Sequence, residues 1–405
     1  MPLSILKGVR VLDLTQNVAG PFCTQILADF GASVVKIERP GAGDDTRAWT
    51  PLTEGGESAT FLALNRGKAS VGLDISRPQG VALAARLAAR SDVIVHSMRP
   101  ASIERMGLSY ETLSVGNPAL VYCAISAFGD SGPLRDLPGY DPLMQAFSGI
   151  MSVTGNEGDE PVRVSVSLVD MGTGMWAAMG VLAALLQRSA TGKGGQVETS
   201  LLDTSLCWMT TFVANYFATG RTPQKLGSAV AMTAPYQLFR TRDGYVFIGA
   251  GNDRLFARTC EALGRPELLA DPRFASNAGR VAARLELQKE IEAATRLRLT
   301  RDVVDALRRA GAPCSELNDL PSALASEQAA ASEMIGALPT RASPDLKVVR
   351  LPVRLDGARP MAATPAPSLG EATQAVLAEM GVSRSEIQAL EAAGIISQPE
   401  RAESV

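Results

Sequence analysis

Short runs of β-branched and aliphatic residues alternate with helical stretches in the first third of the chain, and this alternation restricts the fold more than any other feature. The strand-like runs occupy residues 9–14, 34–38, 70–75, 92–96 and 120–125, and helical patterns occupy residues 21–30 and 78–89. Strands separated by helices of this length predict an α/β domain in which a doubly wound, Rossmann-like parallel sheet is covered by helices. Ligands bind beyond the carboxyl ends of the strands in such sheets, so the loops after Leu14, Ile37 and Val95 are the first candidates for a site.

The rest of the chain has a different pattern. Helical stretches dominate from residue 140, and strand-like runs at residues 236–239 and 245–248 flank a turn, which is typical of a hairpin. A chain of 405 residues also exceeds the usual size of a single core. We therefore expect a second domain near residues 225–330.

Composition narrows the classes of ligand. The net charge of -3 argues against nucleic acid, although local basic residues can still hold a small anion. The most apolar stretch, residues 174–186, is shorter than the roughly 20 residues that cross a bilayer. The five cysteines are scattered without a C-x-x-C pair, as is typical of reduced thiols, and no signal peptide pattern is visible. We expect a cytoplasmic protein that binds neither nucleic acid nor a membrane.

The chain contains one histidine, His96. A Ser-His-Asp triad, a histidine-rich metal site or a mechanism with two histidine bases is therefore hard or impossible to assemble. We expect chemistry without a metal, carried by carboxylates, amides, hydroxyls and glycine-rich backbone.

The first strand-turn-helix-strand unit imitates a dinucleotide-binding unit. Its turn, however, reads Thr15-Gln16-Asn17-Val18-Ala19-Gly20-Pro21 and lacks the G-x-G-x-x-G fingerprint, which disfavours a nicotinamide dehydrogenase. Two alternatives stay open, a nucleotide bound in another way and a structural unit without a ligand.

Three arginines lie near the ends of predicted strands. Arg39 follows the second strand, and Arg99 and Arg105 follow the strand that ends at residue 96. A guanidinium can pair with a phosphate or stack on an adenine. Each arginine alone fits a solvated surface role, whereas the three together indicate an anion site.

A series of short motifs extends in order along nearly the whole chain. They are Gly8-Val9-Arg10-Val11-Leu12-Asp13-Leu14, Ala19-Gly20-Pro21, Gly31-Ala32, Lys36-Ile37-Glu38-Arg39-Pro40, Asn65-Arg66-Gly67-Lys68, Pro138-Gly139-Tyr140-Asp141, Asp170, Gly244-Tyr245, Gly249-Ala250-Gly251-Asn252 and Pro367-Ser368-Leu369-Gly370. No single motif is very specific. Their order and spacing resemble the class III CoA-transferases, a family that includes formyl-CoA and carnitine-CoA transferases and related acyl-CoA racemases.

This resemblance implies a domain organisation and an assembly. It implies a large CoA-binding domain at residues 1–200 and 331–405, a linker at residues 201–224, and a smaller α+β domain with a glycine loop at residues 225–330. It also implies an interlocked homodimer, in which two chains are threaded through each other.

The resemblance further implies that coenzyme A, as an acyl-CoA substrate, lies along the large domain. The matching cofactor-binding positions are Asn17, Val18, Ala19, Arg39, Leu73, Ser97, Met98, Arg99 and Arg105. This chain departs from the family pattern at His96-Ser97-Met98, where many relatives carry Glu-Asn-Phe.

Asp170 matches the position of the family's nucleophile and directly precedes a helical run. An aspartate at such a junction is also a common helix cap, and both roles can coexist. With a usual pKa of about 4, an aspartate is ionised at pH 7 and needs no general base. We expect Asp170 to attack a thioester and to form first an acyl anhydride and then an aspartyl-CoA thioester.

Two alternatives to transfer remain. Racemases of the same superfamily use a histidine in the motif that reads Gly139-Tyr140-Asp141 here, and a tyrosine with a pKa of about 10 is a poor base. The other alternative is a CoA-binding protein without turnover.

The loop motifs look most like the branch that moves CoA from succinyl-CoA to dicarboxylates such as glutarate, hydroxymethylglutarate or itaconate. Arg47 is expected to pair with the distal carboxylate of the acid. The expected substrate and intermediate positions are Arg47, Tyr140, Asp141, Gly249 and Gly251, and the last two belong to a loop that shields the intermediate from water.

Overall fold

The computed structural model describes residues 5–340 and 342–399. Its strands are β1 (Arg10–Leu14), β2 (Ser33–Glu38), β3 (Lys68–Leu73), β4 (Val93–His96), β5 (Val121–Ser126), β6 (Gly195–Ser200), β7 (Tyr236–Arg240), β8 (Tyr245–Gly249), β9 (Cys314–Glu316), β10 (Ile335–Ala337), β11 (Lys347–Val349) and β12 (Ile396–Ser397). Its helices are α1 (Ala19–Asp29), α2 (Ala59–Leu64), α3 (Pro78–Ala88), α4 (Pro100–Arg105), α5 (Tyr110–Gly116), α6 (Asp141–Phe147), α7 (Ile150–Val153), α8 (Leu168–Thr191), α9 (Leu201–Trp208), α10 (Thr210–Thr219), α11 (Asp253–Leu263), α12 (Asn277–Ala282), α13 (Arg284–Thr295), α14 (Thr300–Arg309), α15 (Leu320–Ala325), α16 (Glu327–Ser332), α17 (Thr373–Glu379) and α18 (Arg384–Ala392). Short 3-10 helices occur at Asp45–Ala48 and Pro266–Leu269.

The chain divides into two compact units. Unit 1 contains residues 1–148, 164–214 and 333–405, and unit 2 contains residues 149–163 and 215–332. The predicted bounds differ at two places: residues 149–163 belong to unit 2, and the supposed linker at residues 201–224 consists largely of α9 and α10. Hydrophobic patterning cannot reveal such bounds, because a short excursion from one core to another leaves the local period unchanged.

Unit 1 is built on a seven-stranded sheet in the order β12-β3-β2-β1-β4-β5-β6. Strands β1 to β6 are parallel, and β12 pairs antiparallel with β3. The predicted mixed α/β fold with a large parallel sheet is therefore confirmed. The strand order reverses direction between β1 and β4, which is where such sheets bind ligands.

The core of unit 1 joins distant parts of the sequence. Leu12, Val71 and Ile94 from the sheet pack in one buried cluster with Leu377 and Ile387 from α17 and α18. The C-terminal segment therefore contributes to the same hydrophobic core as the first strands.

Unit 2 contains a three-stranded sheet in the order β7-β8-β9, with antiparallel pairing throughout. The predicted hairpin is confirmed as β7 and β8. Its core collects Phe239, Val246, Phe256, Phe274 and Leu307 from the sheet and the surrounding helices.

Several elements differ from the expectations. β6 escaped notice because it is an edge strand whose sequence, Gln196-Val197-Glu198-Thr199, alternates exposed and half-buried residues and has no apolar run. The strand-like sequence at residues 348–355 contributes only to the short strand β11, and the helical sequence at residues 201–218 is divided between α9 and α10.

The apolar helix α8 is longer than the sequence pattern indicated. With 24 residues it is long and apolar enough to cross a membrane by length and composition. The expectation that the apolar stretch is too short for a membrane span was therefore wrong. In the structure α8 packs on α1, β5 and β6 within unit 1, and Val169, Ala177 and Val181 are buried. The face of α8 that carries these residues belongs to the core of unit 1.

Candidate active site

A cavity of about 710 Å³ lies in unit 1 at the carboxyl ends of the parallel strands, where the strand order reverses. The loops after β1, β2 and β4, which were the first candidates from the sequence, all line it. The predicted site residues that the structure places around this cavity are Asn17, Val18, Ala19, Arg39, Leu73, Ser97, Met98, Arg99, Tyr140 and Asp170.

The loop after β1 rests on a network of buried charges. Asp13 accepts a hydrogen bond from the Thr15 hydroxyl at 2.5 Å, and Lys68 Nζ lies 3.1 Å from Asp13 Oδ2. Lys36 Nζ donates to the Thr15 carbonyl at 2.8 Å and lies 2.8 Å from Asp44 Oδ2. These four charged side chains are fully buried, so a break in the network would leave a costly unpaired charge.

The same network shifts the pKa values of its members. Burial alone would raise the pKa of Asp13, but Lys68 and Lys36 hold it well below its usual value. Burial lowers the pKa of Lys68 to about 8, despite the neighbouring Asp13. Paired buried charges thus hold the loop after β1 in place.

Asn17 links this loop to the loop after β2. Its backbone has a φ of 66°, a left-handed conformation that asparagine tolerates better than most residues. Its amide donates to Asp44 Oδ1 at 3.2 Å. Asp44 therefore contacts the first loop with one carboxylate oxygen and Lys36 with the other.

The amino end of α1 faces the cavity. No side chain caps this helix, and Ala19 and Gly20 of its first turn are cavity residues. A Cβ atom at Gly20 would come 2.3 Å from the Cβ of Thr15, so the close approach of helix and loop requires glycine. The helix dipole and the first amide hydrogens favour an anion here, and Arg39 and Arg99 line the same cavity.

Asp170 lies in the first turn of α8 and lines the cavity. Glycines allow the start of α8 to pack closely on two other helices. A Cβ atom at Gly174 would come 2.5 Å from the carbonyl oxygen of Ala19 in α1, and a Cβ atom at Gly172 would come 2.7 Å from Trp208 in α9. These contacts fix the position of the backbone that carries the carboxylate of Asp170.

Asp141, and not Asp170, caps α8. Asp141 Oδ2 accepts hydrogen bonds from the amides of Val169 at 2.7 Å and Asp170 at 3.1 Å. Among the residues that the structure describes, no hydrogen bond to the Asp170 carboxylate occurs, so the interpretation of Asp170 as a helix cap was wrong. Asp141 itself is buried and does not line the cavity.

The pKa of Asp170 differs from the expectation. Burial, with a further contribution from the charge of Asp141, raises it from 3.8 to about 7. The expectation of a fully ionised aspartate at pH 7 was therefore wrong, because it used the pKa of an exposed side chain. Near neutral pH this group titrates.

Arg47, the residue expected to pair with a distal carboxylate, has other partners and does not line the cavity. Its Nε and Nη2 atoms each lie 2.7 Å from a carboxylate oxygen of Glu38, and Nη2 also donates to the Pro367 carbonyl at 3.0 Å. Its guanidinium carbon stands 3.6 Å from the centre of the Phe61 ring. The bidentate pairing that suggested substrate recognition occurs within the chain.

Two other predicted groups lie outside the cavity lining. Arg105 bonds to the carbonyl of Ala101 in its own helix at 3.0 Å. The glycine loop after β8 belongs to unit 2, where neither Gly249 nor Gly251 has a positive φ. A Cβ atom at Gly251 would meet no atom within 4 Å, so open space and not backbone strain distinguishes this position. Its shielding role stays a prediction.

His96 is buried at the end of β4. Its Nδ1 accepts from the Met98 amide at 3.3 Å, its ring packs 5.0 Å from that of Tyr122, and burial lowers its pKa to about 4. It does not line the cavity. The neighbouring Ser97 and Met98 do, so this loop contributes to the cavity despite its departure from the family pattern.

Some cavity residues were missed by the sequence analysis. They lie in the loops after β2 and β3 and at or beyond the carboxyl end of β5, and they include Asp45, Trp49, Asp74, Ser126, Arg135 and Leu137. The rule that sites form at the carboxyl ends of strands would have found the residues after β3 and β5, had it been applied to all the predicted strands. No group of three or more metal-ligating side chains occurs within the described residues.

Comparisons with known proteins identify the family of this chain. The family model for CoA-transferase family III matches residues 6–373. Succinyl-CoA:glutarate CoA-transferase of Mus musculus is 38% identical over 396 residues, which cover 98% of this chain and 91% of the relative. Succinate--glutarate CoA-transferase of Agrobacterium fabrum is 35% identical, with 93% of this chain and 95% of the relative covered.

Solved structures support the same conclusion. A CAIB/BAIF family protein from Brucella suis matches with a TM-score of 0.83 and 35% identity, over 93% of this chain and 99% of the other. A family match over most of the length, a full-length relative and a shared fold leave one assignment. The chain belongs to CoA-transferase family III and is a CoA-transferase.

Proposed function

We propose that this enzyme moves CoA from succinyl-CoA to a dicarboxylic acid, with Asp170 as the covalent nucleophile. The observation that carries the proposal is the carboxylate of Asp170, which lines the cavity while Asp141 supplies the helix cap in its place. The names of relatives support the substrate class, since they describe CoA-transferases for succinyl-CoA and glutarate, D-citramalate or mesaconate.

The reaction needs four displacements. The Asp170 carboxylate attacks the donor thioester carbonyl and expels CoA thiolate, which gives an acyl-aspartyl anhydride. The thiolate attacks the aspartyl carbonyl and releases the donor carboxylate, which leaves an aspartyl-CoA thioester. The acceptor carboxylate attacks this thioester and expels CoA thiolate, which leaves a second acyl-aspartyl anhydride. The thiolate then attacks the acceptor's acyl carbonyl in this anhydride, which gives the new acyl-CoA and regenerates the Asp170 carboxylate. Each step exchanges one acyl bond for another, so no ATP is consumed.

The negatively charged nucleotide part of CoA fits the positively polarised groups of the cavity. The uncapped amino end of α1 offers amide hydrogens to a pyrophosphate, and Arg39 and Arg99 offer positive charge. Arg39 contacts Asp45 and remains about half exposed, so its guanidinium is still accessible to a phosphate or an adenine.

Arg135 is the arginine that supports selection of a dicarboxylate. It lines the cavity and lies on the segment between β5 and α6, which also carries Tyr140 and leads to Asp141. Among the described residues, the only partner of its guanidinium is the adjacent Asp136, at 3.4 Å, in contrast to the engaged guanidinium of Arg47.

The racemase alternative lacks a base. Tyr140 occupies the position of the histidine that racemases use, and it is exposed. The buried His96 is uncharged at neutral pH and does not line the cavity. Transfer therefore remains the better supported reaction.

We also propose a homodimer. The helices α8, α9 and α10 expose large apolar side chains that a solvated surface would rarely carry: Met175, Trp176, Met179, Trp208, Phe212 and Phe217. Sedimentation velocity at micromolar concentration should give twice the mass of the chain. A species with the mass of a single chain would contradict this assembly.

Incubation with succinyl-CoA alone, followed by hydroxylamine or borohydride, should modify Asp170, because either acyl intermediate reacts with these reagents. Peptide mass spectrometry would locate the change. Asp170→Asn should lower turnover by at least about 10³-fold, since an amide is a poor nucleophile. Asp302→Asn on α14 is the matched control and should react as the wild type does. An unmodified Asp170 in an active enzyme would refute covalent catalysis, and no exchange at all with a panel of acids would favour a CoA-binding protein.

The activity should depend on pH near neutrality. Only the ionised form of Asp170 attacks, so kcat/KM for succinyl-CoA should rise with pH and level off above about 7. Below that value kcat/KM should fall about tenfold for each pH unit. Initial rates between pH 5 and 9 would measure this dependence, and a flat profile would show that the titrating group is not required.

Arg135→Gln should weaken recognition of the distal carboxylate. With acetyl-CoA as donor, KM for glutarate should rise about 10- to 100-fold, which is the range for loss of one charge-assisted hydrogen bond. KM for butyrate, which lacks the second carboxylate, should not change. Arg384→Gln on α18 is the matched control. Equal losses with both acids would assign Arg135 a general structural role instead.

A further inference from the structure

We propose that Asp141 is a positioning residue, which keeps the carboxylate of Asp170 free by occupying the amide hydrogens at the start of α8. This inference rests on the proposed role of Asp170 and adds to it a second carboxylate with a separate task. It concerns only residues of unit 1.

The geometry of the cap is unusual because the capping side chain comes from another helix. α8 begins at Leu168, and its N-cap residue, Ser167, makes no side-chain cap bond. The amides of Val169 and Asp170 are the second and third of the helix, which an N-cap side chain normally satisfies. Asp141, at the first position of α6, takes both of them with one oxygen.

The second oxygen of Asp141 is held by Gln145. Gln145 Nε2 donates to Asp141 Oδ1 at 2.5 Å and to the Val164 carbonyl at 3.1 Å, and Gln145 Oε1 accepts from the Val164 amide at 2.9 Å. Gln145 is fully buried, and Asp141 is 2% exposed. These bonds fix the orientation of the capping carboxylate and tie it to the chain segment that leads into α8.

Without this cap, the amides of Val169 and Asp170 would need another acceptor, and the carboxylate of Asp170 belongs to the same first turn. A carboxylate in the first turn of a helix is attracted to the free amide hydrogens there by the helix dipole, and in a capping box the side chain at the third position turns back to the N-cap amide. Such a bond would stabilise the carboxylate and turn it away from the cavity. Asp141 removes that competition, so the two acidic residues have different tasks.

The charge of Asp141 also acts on Asp170. After burial, it is the other cause that raises the pKa of Asp170. The residues of α1 and α9 that pack on the first turns of α8, which are Ala19, Phe22, Thr204 and Trp208, carry no charge. The charged residues that line the same cavity, which are Glu38, Arg39, Asp45, Asp74, Arg99 and Arg135, do not contribute to this shift.

Two substitutions separate the cap from the charge. Asp141→Asn keeps an oxygen that can accept from the α8 amides but removes the charge. Asp141→Ala removes both. The measurements are the pH dependence of kcat/KM for succinyl-CoA, kcat at the optimum, and the rate at which the aspartyl adduct forms in a single turnover.

In both variants the pH midpoint should move to lower pH by about half a unit or more, because a negative charge next to Asp170 is gone. Asp141→Asn should keep kcat within about fivefold of the wild type. Asp141→Ala should lose about 10²-fold in kcat and in adduct formation, with KM for succinyl-CoA within about twofold, because the nucleophile is turned away while the CoA contacts remain.

The matched control is Asp319→Ala in unit 2, where the Asp319 side chain caps α15 through the Ser322 amide at 2.9 Å. It should change neither the midpoint nor kcat. If Asp141→Ala does not fold, Gln145→Leu tests the positioning role instead, because it removes the partner that orients the capping carboxylate but keeps the charge, and it should slow adduct formation without lowering the midpoint. Unchanged midpoints and rates in both variants, with Asp170 still labelled in the wild type, would overturn the role of Asp141 alone. Absence of the label in the wild type would instead remove the function on which it rests.

Discussion

The hydrogen bonds from the first amides of α8 to Asp141 are the interaction on which the proposed nucleophile, Asp170, depends. A helix that begins beside a ligand cavity needs an acceptor for its free amide hydrogens, and an acidic residue in its own first turn would normally be drawn to them. Here the acceptor comes from α6, so the carboxylate of Asp170 has no such partner among the described residues. Helix capping and the proposed catalysis are thereby assigned to different residues.

Burial of Asp170 has two opposite effects. In the proposed mechanism it would limit the access of water to the acyl intermediate, and it also favours the protonated, unreactive form of the carboxyl group. Because the pKa in the folded state lies above its value in the unfolded chain, the folded state binds the proton more tightly. The fold therefore loses stability from this group as pH rises from about 4 to about 7.

Much of the architecture could be predicted from the sequence because it depends on local patterns. The strands that became β1 to β5 are largely buried on both faces and are rich in β-branched and aliphatic residues. The rule that ligands bind at their carboxyl ends identified three loops that line the cavity. Asp170 itself was found through family resemblance, since an aspartate before a helix is otherwise unremarkable.

What escaped prediction depends on contacts between distant residues. Arg47 has the pattern of a substrate ligand, and only the fold shows that Glu38 and Pro367 occupy its guanidinium. The pKa of Asp170 and the cap by Asp141 likewise arise from burial and from a neighbour 29 positions away. Local propensity carries no information about either.

The antiparallel strand β12 closes one edge of the large sheet, and it comes from the far end of the described chain. Thr373 reinforces this edge by accepting from the Gly72 amide and donating to the Ser397 carbonyl. During synthesis on the ribosome, β3 must therefore wait for more than three hundred further residues before its outer backbone groups are paired. Until then the nascent sheet presents an open edge, so a ribosome stalled after unit 2 would leave a product with an exposed strand that is prone to aggregation.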